Sequence, residues 1–261
     1  MKTIFPESAL AHKYLDGLSG LEIGASAHNP FGLRTRNVDI ADEFNTDTYK
    51  KYEVDMCAEM APIDIIAPGD ALPVPDESQD FVIHSHVLEH FSDPIKALRE
   101  WYRVIRPDGY VFMIIPHKER TFDRDRKRTT LDETRRRHVG QSISTPDAKT
   151  GHYSFWITED LIELVRSIGL DWSLVDFQDV DDKVGNGFTI VLKKRALTGA
   201  ELDDIEGRIE RLRRETRRKE RIFFRPGSFP GRVRQILGNA LREFRRNGIR
   251  GIIRRGEDFL K

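Results

Sequence analysis

The chain reads as an α/β protein: a doubly wound, mostly parallel sheet followed by an α-helical, basic C-terminal extension. Three observations predict this. Apolar runs alternate with helix-patterned segments from Leu21 to about residue 195. The clearest run, Gly109–Pro116, is apolar at nearly every position, as in a strand covered on both faces. The charge is also split. Residues 208–261 hold 18 Lys+Arg against 6 Asp+Glu, and residues 1–207 hold 25 against 37, so a formally neutral chain divides into net +12 and net −12.

The elements follow in order. Strands are expected at Leu21–Gly24, Asn37–Ile40, Ile63–Ala67, Asp80–His84 and Gly109–Pro116, and then at Trp172–Phe177 and Phe188–Leu192. Before the fifth strand, Ile95, Leu98, Trp101, Val104 and Ile105 recur at helical spacing, and Pro107-Asp108-Gly109 stops that helix. Thr158 is the expected N-cap of the next helix, which Gly169 closes. Only a polar turn, Asp181 to Asn186, joins the last two strands, so they are expected to pair antiparallel. Twelve residues, Ala25 to Arg36, join the first two strands, near the ~12 that a parallel crossover needs. Any helix there must be short or replaced by a loop. Residues 117–150 are polar with little periodicity. They follow the fifth strand, at the edge where open α/β sheets bind ligands, and are expected to cover a substrate; a solvated surface loop is the alternative.

Composition narrows the setting. Of 261 residues, 38% are hydrophobic and 33% charged, which suits a packed core with a wet surface. Cys57 is the single cysteine; an internal disulfide and a four-cysteine zinc site are excluded, and a reducing cytosol fits. The start MKTIFPESALAHKYL lacks the apolar run of a signal peptide, and no stretch reaches the ~20 apolar residues of a membrane span. The expected location is cytoplasmic, with peripheral membrane contact open through the tail.

Three pieces carry a family resemblance. They are Leu21-Glu22-Ile23-Gly24-Ala25-Ser26; Asp70-Ala71-Leu72-Pro73 running on to Asp80-Phe81-Val82-Ile83; and His86-Val87-Leu88-Glu89-His90 with Asp93-Pro94 and Arg106-Pro107-Asp108-Gly109. In this order and spacing the segment around residues 20–195 resembles the class I methyltransferases that use S-adenosylmethionine (SAM), with a Rossmann-like methyltransferase domain. The glycine turn departs from the family: Glu22-Ile23-Gly24-Ala25-Ser26-Ala27-His28 keeps one of three glycines. The absent G-x-G-x-x-G argues against a nicotinamide cofactor.

The resemblance implies SAM as cofactor and S-adenosylhomocysteine (SAH) as product. It places Glu22, Gly24, Ala25 and Ser26 at the amino-acid end of SAM and Asp39 on the ribose. Asp70, Ala71 and Leu72 fall at the adenine, and His86 and Val87 near the sulfonium. Transfer to a hydroxyl benefits from a general base. His117, directly after the fifth strand, and His86, at the end of the fourth, are the catalytic candidates. Asp123, Arg124, Arg126, His138 and His152 are the candidates for substrate binding. His-x-x-Glu-His at 86–90 also matches a zinc-protease pattern, which needs both histidines on one helix face. The segment instead follows a strand, so no metal ligands are assigned; a divalent metal stays open without any spacing that demands it.

The expected organisation is a methyltransferase domain over 1–196, with the 117–150 insertion above the active site, and a basic amphipathic tail over 197–261. In the tail, residues 201–222 read as a charged helix. Val233, Ile236, Leu237, Ala240, Leu241 and Phe244 form an apolar stripe edged by arginines, which suits an anionic membrane surface through 229–261 or packing on protein. Nucleic acid is the weaker partner because no stacking aromatics sit among the basic residues; a homo-oligomer is left open. The favoured function is O-methylation of a sugar, glycan or other small molecule. A non-catalytic partner-recruiting module and a nucleic-acid methyltransferase are the alternatives.

Overall fold

The computed structural model of the protein describes residues 7–24, 31–40 and 62–223. Ala25, Ser26, Cys57 and the amphipathic stretch 229–261 lie outside the described residues. The chain divides into two compact units, Met1–Glu206 and Gly207–Lys261.

The seven apolar runs form one sheet: β1 (Ser19–Ile23), β2 (Arg34–Asp39), β3 (Ile65–Ile66), β4 (Gln79–Ser85), β5 (Ile105–Pro116), β6 (Ser173–Gln178) and β7 (Gly187–Lys193). The spatial order is β3-β2-β1-β4-β5-β7-β6. β7 runs antiparallel to both neighbours, and the other pairings are parallel. The order reverses between β1 and β4, and such a switch point opens a crevice at the carboxyl ends of the strands.

Two strands begin three or more residues before their expected runs. β2 starts at Arg34, so only Gly24 to Leu33 link it to β1. β5 starts at Ile105, as soon as the preceding helix ends. Its first residues are irregular: Asp108 has φ 64°, and the β4–β5 register shifts between Gln79 and Phe81. A Cβ on Gly109 would stand 2.8 Å from the Asp80 carbonyl, so only glycine passes at that crossing.

The described residues include five α-helices. The first, α1 (Ala9–Leu15), is a helix that periodicity in the later chain gives no hint of. Ser8 caps it, accepting from the Ala11 N–H at 3.0 Å. Its Leu10, Ala11 and Leu15 pack with Phe31, Phe81 and Phe112. The short β1–β2 link leaves this face of the sheet to be covered from elsewhere, and α1 helps cover it. On the opposite face lies α2 (Pro94–Val104), capped by Asp93, with Ile95, Leu98, Trp101 and Val104 buried. Trp101 Nε1 donates to the Gly69 carbonyl at 2.8 Å, and its ring packs against His84.

The insertion is more ordered than its composition predicts. It holds a 3-10 turn at Phe122–Asp125 and α3 (Leu131–His138), which starts on a Thr130 cap. The reason is burial of a charged side chain: Arg137 turns inward, donating to Ser154 Oγ at 2.8 Å and to the Tyr153 carbonyl. A hydrophobicity pattern cannot register a helix held by guanidinium hydrogen bonds. In α4 (Thr158–Ser167) the cap differs from expectation. Ile157 is the N-cap and its N–H donates to Asp160, while the Thr158 hydroxyl donates to Asp179 at 2.6 Å. Helix α5 (Gly199–Phe223) matches the expected charged helix. No helix among the described residues is long and apolar enough to cross a membrane.

Candidate active site at the carboxyl edge of the sheet

Parallel β1 to β5 bring Gly24, Asp39, the 67–72 segment, His86–His90 and His117 to one edge. The antiparallel β7 adds its own beginning there: Pro116 pairs with Gly187, and the His117 N–H donates to the Asn186 carbonyl at 3.1 Å.

On the β1–β3 side, the described residues contribute backbone at Gly24 and a few separate side chains. Gly24 has φ 73°, and a Cβ there would stand 2.7 Å from Val87 Cγ2. Both facts require glycine. The Gly24 N–H donates to the Val38 carbonyl, and Asp39 ends β2 half-buried. Asp70 pairs with Lys96 at 2.8 Å; Ala71 is exposed; Leu72 is buried, its N–H donating to Glu100 at 2.6 Å. Glu22 is buried on β1 and accepts from the Thr35 hydroxyl at 3.2 Å. Burial pushes its carboxyl up to about 8, against the pull of Thr35 and Lys183. Lys183 is itself buried and lies over the Phe31 ring.

Beyond β4 the character changes. His86 takes φ 57°, and its N–H donates to the Ile114 carbonyl. The 3-10 turn Leu88–His90 follows, so 86–90 is no helix and the protease geometry does not form. Glu89 is completely buried, and neither carboxylate oxygen has a hydrogen-bond partner. Its Oε1 lies 3.9 Å from His90 Nε2 and 3.9 Å from His152 Nε2. The two imidazoles meet edge to face with centroids 4.7 Å apart. His152 Nδ1 pairs with Asp123 at 2.9 Å, and His90 Nδ1 bonds the Gly151 carbonyl at 3.3 Å.

The electrostatics follow from burial. Desolvation lowers His86 and His90 to about 4 each, so both are neutral imidazoles at pH 7. Desolvation raises Glu89 to about 7, against the charge of His152. Desolvation also lowers His152, but its hydrogen bond to Asp123 and the charges of Glu89 and Asp123 outweigh it, and its net shift is upward. Asp181 acts on His86 from the β6–β7 turn. Burial alone would raise its carboxyl, yet backbone N–H groups of Val184, Gly185, Gly187 and Lys183 hold it below the usual range.

The insertion closes on this group through its backbone. The Tyr153 N–H donates to the Glu89 carbonyl and the Lys118 N–H to that of Trp156. Of the residues expected to bind substrate, Asp123 and His152 join the cluster. Arg124 is exposed, donating to the Glu119 carbonyl, and Arg126 pairs with Asp147. His138 bonds the second oxygen of the cap residue Asp93 at 2.9 Å, tying α3 to the start of α2. The His117 ring accepts from the Glu119 N–H on Nδ1, with Nε2 3.9 Å from Asp179. Sequence reasoning passed over Glu89 and His90 as site residues, though both lie in the motif it used. It also missed Asp181 and Lys183, whose turn reaches the edge only because β7 is antiparallel.

Residues 19–113 match the family described as "Methyltransferase domain". A probable S-adenosylmethionine-dependent methyltransferase of Mycolicibacterium smegmatis is 28% identical over 133 residues, 51% of this chain and 47% of its own length. The uncharacterized methyltransferase YcgJ of Bacillus subtilis is 41% identical over 49 residues, 19% of each chain. The chain thus spans about half or less of the curated relatives it matches. A solved SAM-dependent methyltransferase of Thermotoga maritima, described as a possible histamine N-methyltransferase, aligns with TM-score 0.46 at 18% identity, covering 71% of this chain and 92% of its own. Motif order, the reversal of strand order between β1 and β4 and the match over residues 19–113 agree: the chain carries a class I SAM-dependent methyltransferase domain.

Proposed function

We propose that the protein transfers a methyl group from SAM to a hydroxyl oxygen of a polar acceptor, a sugar or glycan hydroxyl foremost. The observation that carries this reading is the ionisable group beyond β4, set next to the Gly24–Val87 contact. Glu89, His90 and His152 adjoin one another there, His90 and His152 act electrostatically on His86, and His86 and His90 are neutral imidazoles at pH 7. A hydroxyl is a weak nucleophile until a base takes its proton, and a neutral imidazole is suited to that task. His86 is the first candidate, since its Nε2 is buried without a hydrogen-bond partner. His117 is the second, by its place after β5.

The residues fit the cofactor at the tight backbone of Gly24, whose positive φ and missing Cβ let Val87 pack directly against the turn. The Gly24 backbone would meet the amino-acid end, Asp39 the ribose, and Asp70 with Leu72 the adenine. Bound there, SAM supplies an electrophilic methyl on a sulfonium. The chain's own work is to seat it beside the acceptor, exclude water and accept one proton; alignment alone is worth up to ~7–11 kcal/mol. The many polar side chains of residues 117–156 favour an acceptor rich in hydroxyls over an apolar one.

Incubation of the purified chain with methyl-labelled SAM and fractionated cell extract tests this reading. Label in saccharide fractions that survives mild base supports it. Label confined to RNA or protein overturns the acceptor class. Absence of SAH binding by calorimetry overturns the transferase itself.

A further inference from the structure

We propose that Glu89, His90 and His152 form a binding site for one divalent first-row transition-metal ion, beside the seat proposed for the acceptor hydroxyl. Each offers one ligand atom, and the three atoms lie within 4.8 Å of one another. Two donors are imidazole nitrogens and the third a carboxylate. That set suits zinc, cobalt, manganese or ferrous ions rather than magnesium or calcium, which prefer oxygen.

A second observation points to the ion independently of the clustering. Burying a carboxylate without partners is costly, and both Glu89 oxygens lack them while Oε1 faces the two Nε2 atoms. A bound cation satisfies that carboxylate. The backs of the two imidazoles are also dressed as metal ligands usually are. His152 Nδ1 meets the Asp123 carboxylate and His90 Nδ1 the Gly151 carbonyl, which directs both Nε2 lone pairs toward Glu89.

Distances agree with the assignment after a small contraction. Ligands ~2.1 Å from a tetrahedral ion stand ~3.4 Å apart. The observed 3.9 Å separations of Glu89 Oε1 from the two Nε2 atoms therefore close by about half an ångström, and the two imidazole nitrogens, within 4.8 Å of each other, by up to about 1.4 Å. Three protein ligands leave at least one coordination position open. The His90 side chain is 33% exposed while Glu89 is fully buried, so the open side faces solvent and the acceptor. A hydroxyl oxygen ligated there is held and made more acidic, which is the role the ion takes if the methyl-transfer reading stands. Ion binding itself does not depend on that reading.

The test uses the full chain, free of affinity tag and stripped with chelator. Titration with Co2+ should give one equivalent bound, with visible d–d absorption that Zn2+ abolishes. Zn2+ should raise the melting temperature. Glu89→Gln and His152→Ala should each weaken Co2+ binding by about 100-fold or more, and Asp123→Asn by about 10–100-fold. His90→Gln, which leaves the insertion's own bonds in place, is read alongside in case His152→Ala loosens residues 147–156. SAH titration on the same samples separates the two readings: Co2+ bound without SAH keeps the metal site and sinks the transferase. No stoichiometric Co2+ binding by the parent chain, or binding undiminished in both Glu89→Gln and His90→Gln, overturns the site.

Discussion

Among the described residues, the carboxyl edge around β1, β2 and β3 offers backbone and acids standing apart from one another, whereas beyond β4 and β5 four ionisable side chains gather in one partly buried group. Gly24 contributes a φ of 73° and a missing Cβ; Asp39 ends β2, and Asp70 lies in the segment after β3. His86, Glu89, His90 and His152 come from two segments 62 residues apart and shift one another's protonation. The contrast is what a transferase needs. A shared cofactor asks for a fixed backbone shape, and the acceptor asks for side chains that move a proton.

If that division holds, substitutions on the two sides separate binding from turnover. His152→Ala, which removes the imidazole whose charge acts on the proposed base His86, is expected to cut methyl transfer by about 10²–10⁴-fold through impaired acid–base function, while SAH affinity stays within a few-fold. Gly24→Val should do the reverse at the first step. A β-branched residue is strained at φ 73°, and its Cβ meets Val87 at 2.7 Å. SAH affinity should fall by about 10–100-fold, equivalent to ~1.4–2.8 kcal/mol. Calorimetric SAH titrations with single-turnover transfer assays check both. Parental SAH affinity in Gly24→Val, or a matching SAH loss in His152→Ala, would erase the distinction.

Legibility in the sequence follows the same line. The β1–β3 half of the edge was readable because each part is local: a strand ending in glycine, an acid ending the next strand, an ordered motif. The sheet was readable because its runs are continuous and apolar. The half beyond β4 was readable only in part: Asp123 and His152 were expected at a substrate, but their meeting with Glu89 and His90 depends on the chain folding back on the Leu88–His90 turn, through bonds such as Tyr153 N–H to the Glu89 carbonyl. Nor does any local pattern announce that Glu89 turns inward, because a buried acid looks like a surface acid in one dimension. Helix α3 was hidden for the related reason that its inward face carries Arg137.

Glu22 sharpens the comparison, being a buried acid on the cofactor side with a strongly shifted pKa. Its folded-state value is about 8 against an ordinary 4.5. Between those values the folded chain holds a proton that the unfolded chain has released. Its contribution is therefore fully present below pH 4.5 and is lost as pH rises toward 8. Glu22→Gln, permanently neutral, should remove that slope. Its melting temperature at pH 8 should exceed the parent's by several degrees, at ~2–4 °C per kcal/mol for a chain of this size. Parallel melting curves from pH 5 to about 9 read the effect. Parent and variant falling together would show that Glu22 stays ionised, tied to groups of the glycine turn.

The smallest expected effect concerns His138, which the sequence offers as a substrate residue and the structure joins to Asp93. The pair is partly exposed, and such pairs are worth ~0.2–1 kcal/mol. His138→Ala should lower the melting temperature by about 1–3 °C. Asp93→Asn should cost more, because Asp93 also caps α2 through the Lys96 N–H at 3.0 Å. The double variant should lose less than the sum of the two, since the interaction can be broken only once. A KM split tells docking from substrate contact. If His138 only ties α3 to α2, then His138→Ala and Asp93→Asn move the acceptor KM alike. A rise confined to His138→Ala would return that imidazole to the acceptor, extending the ionisable half of the edge along α3.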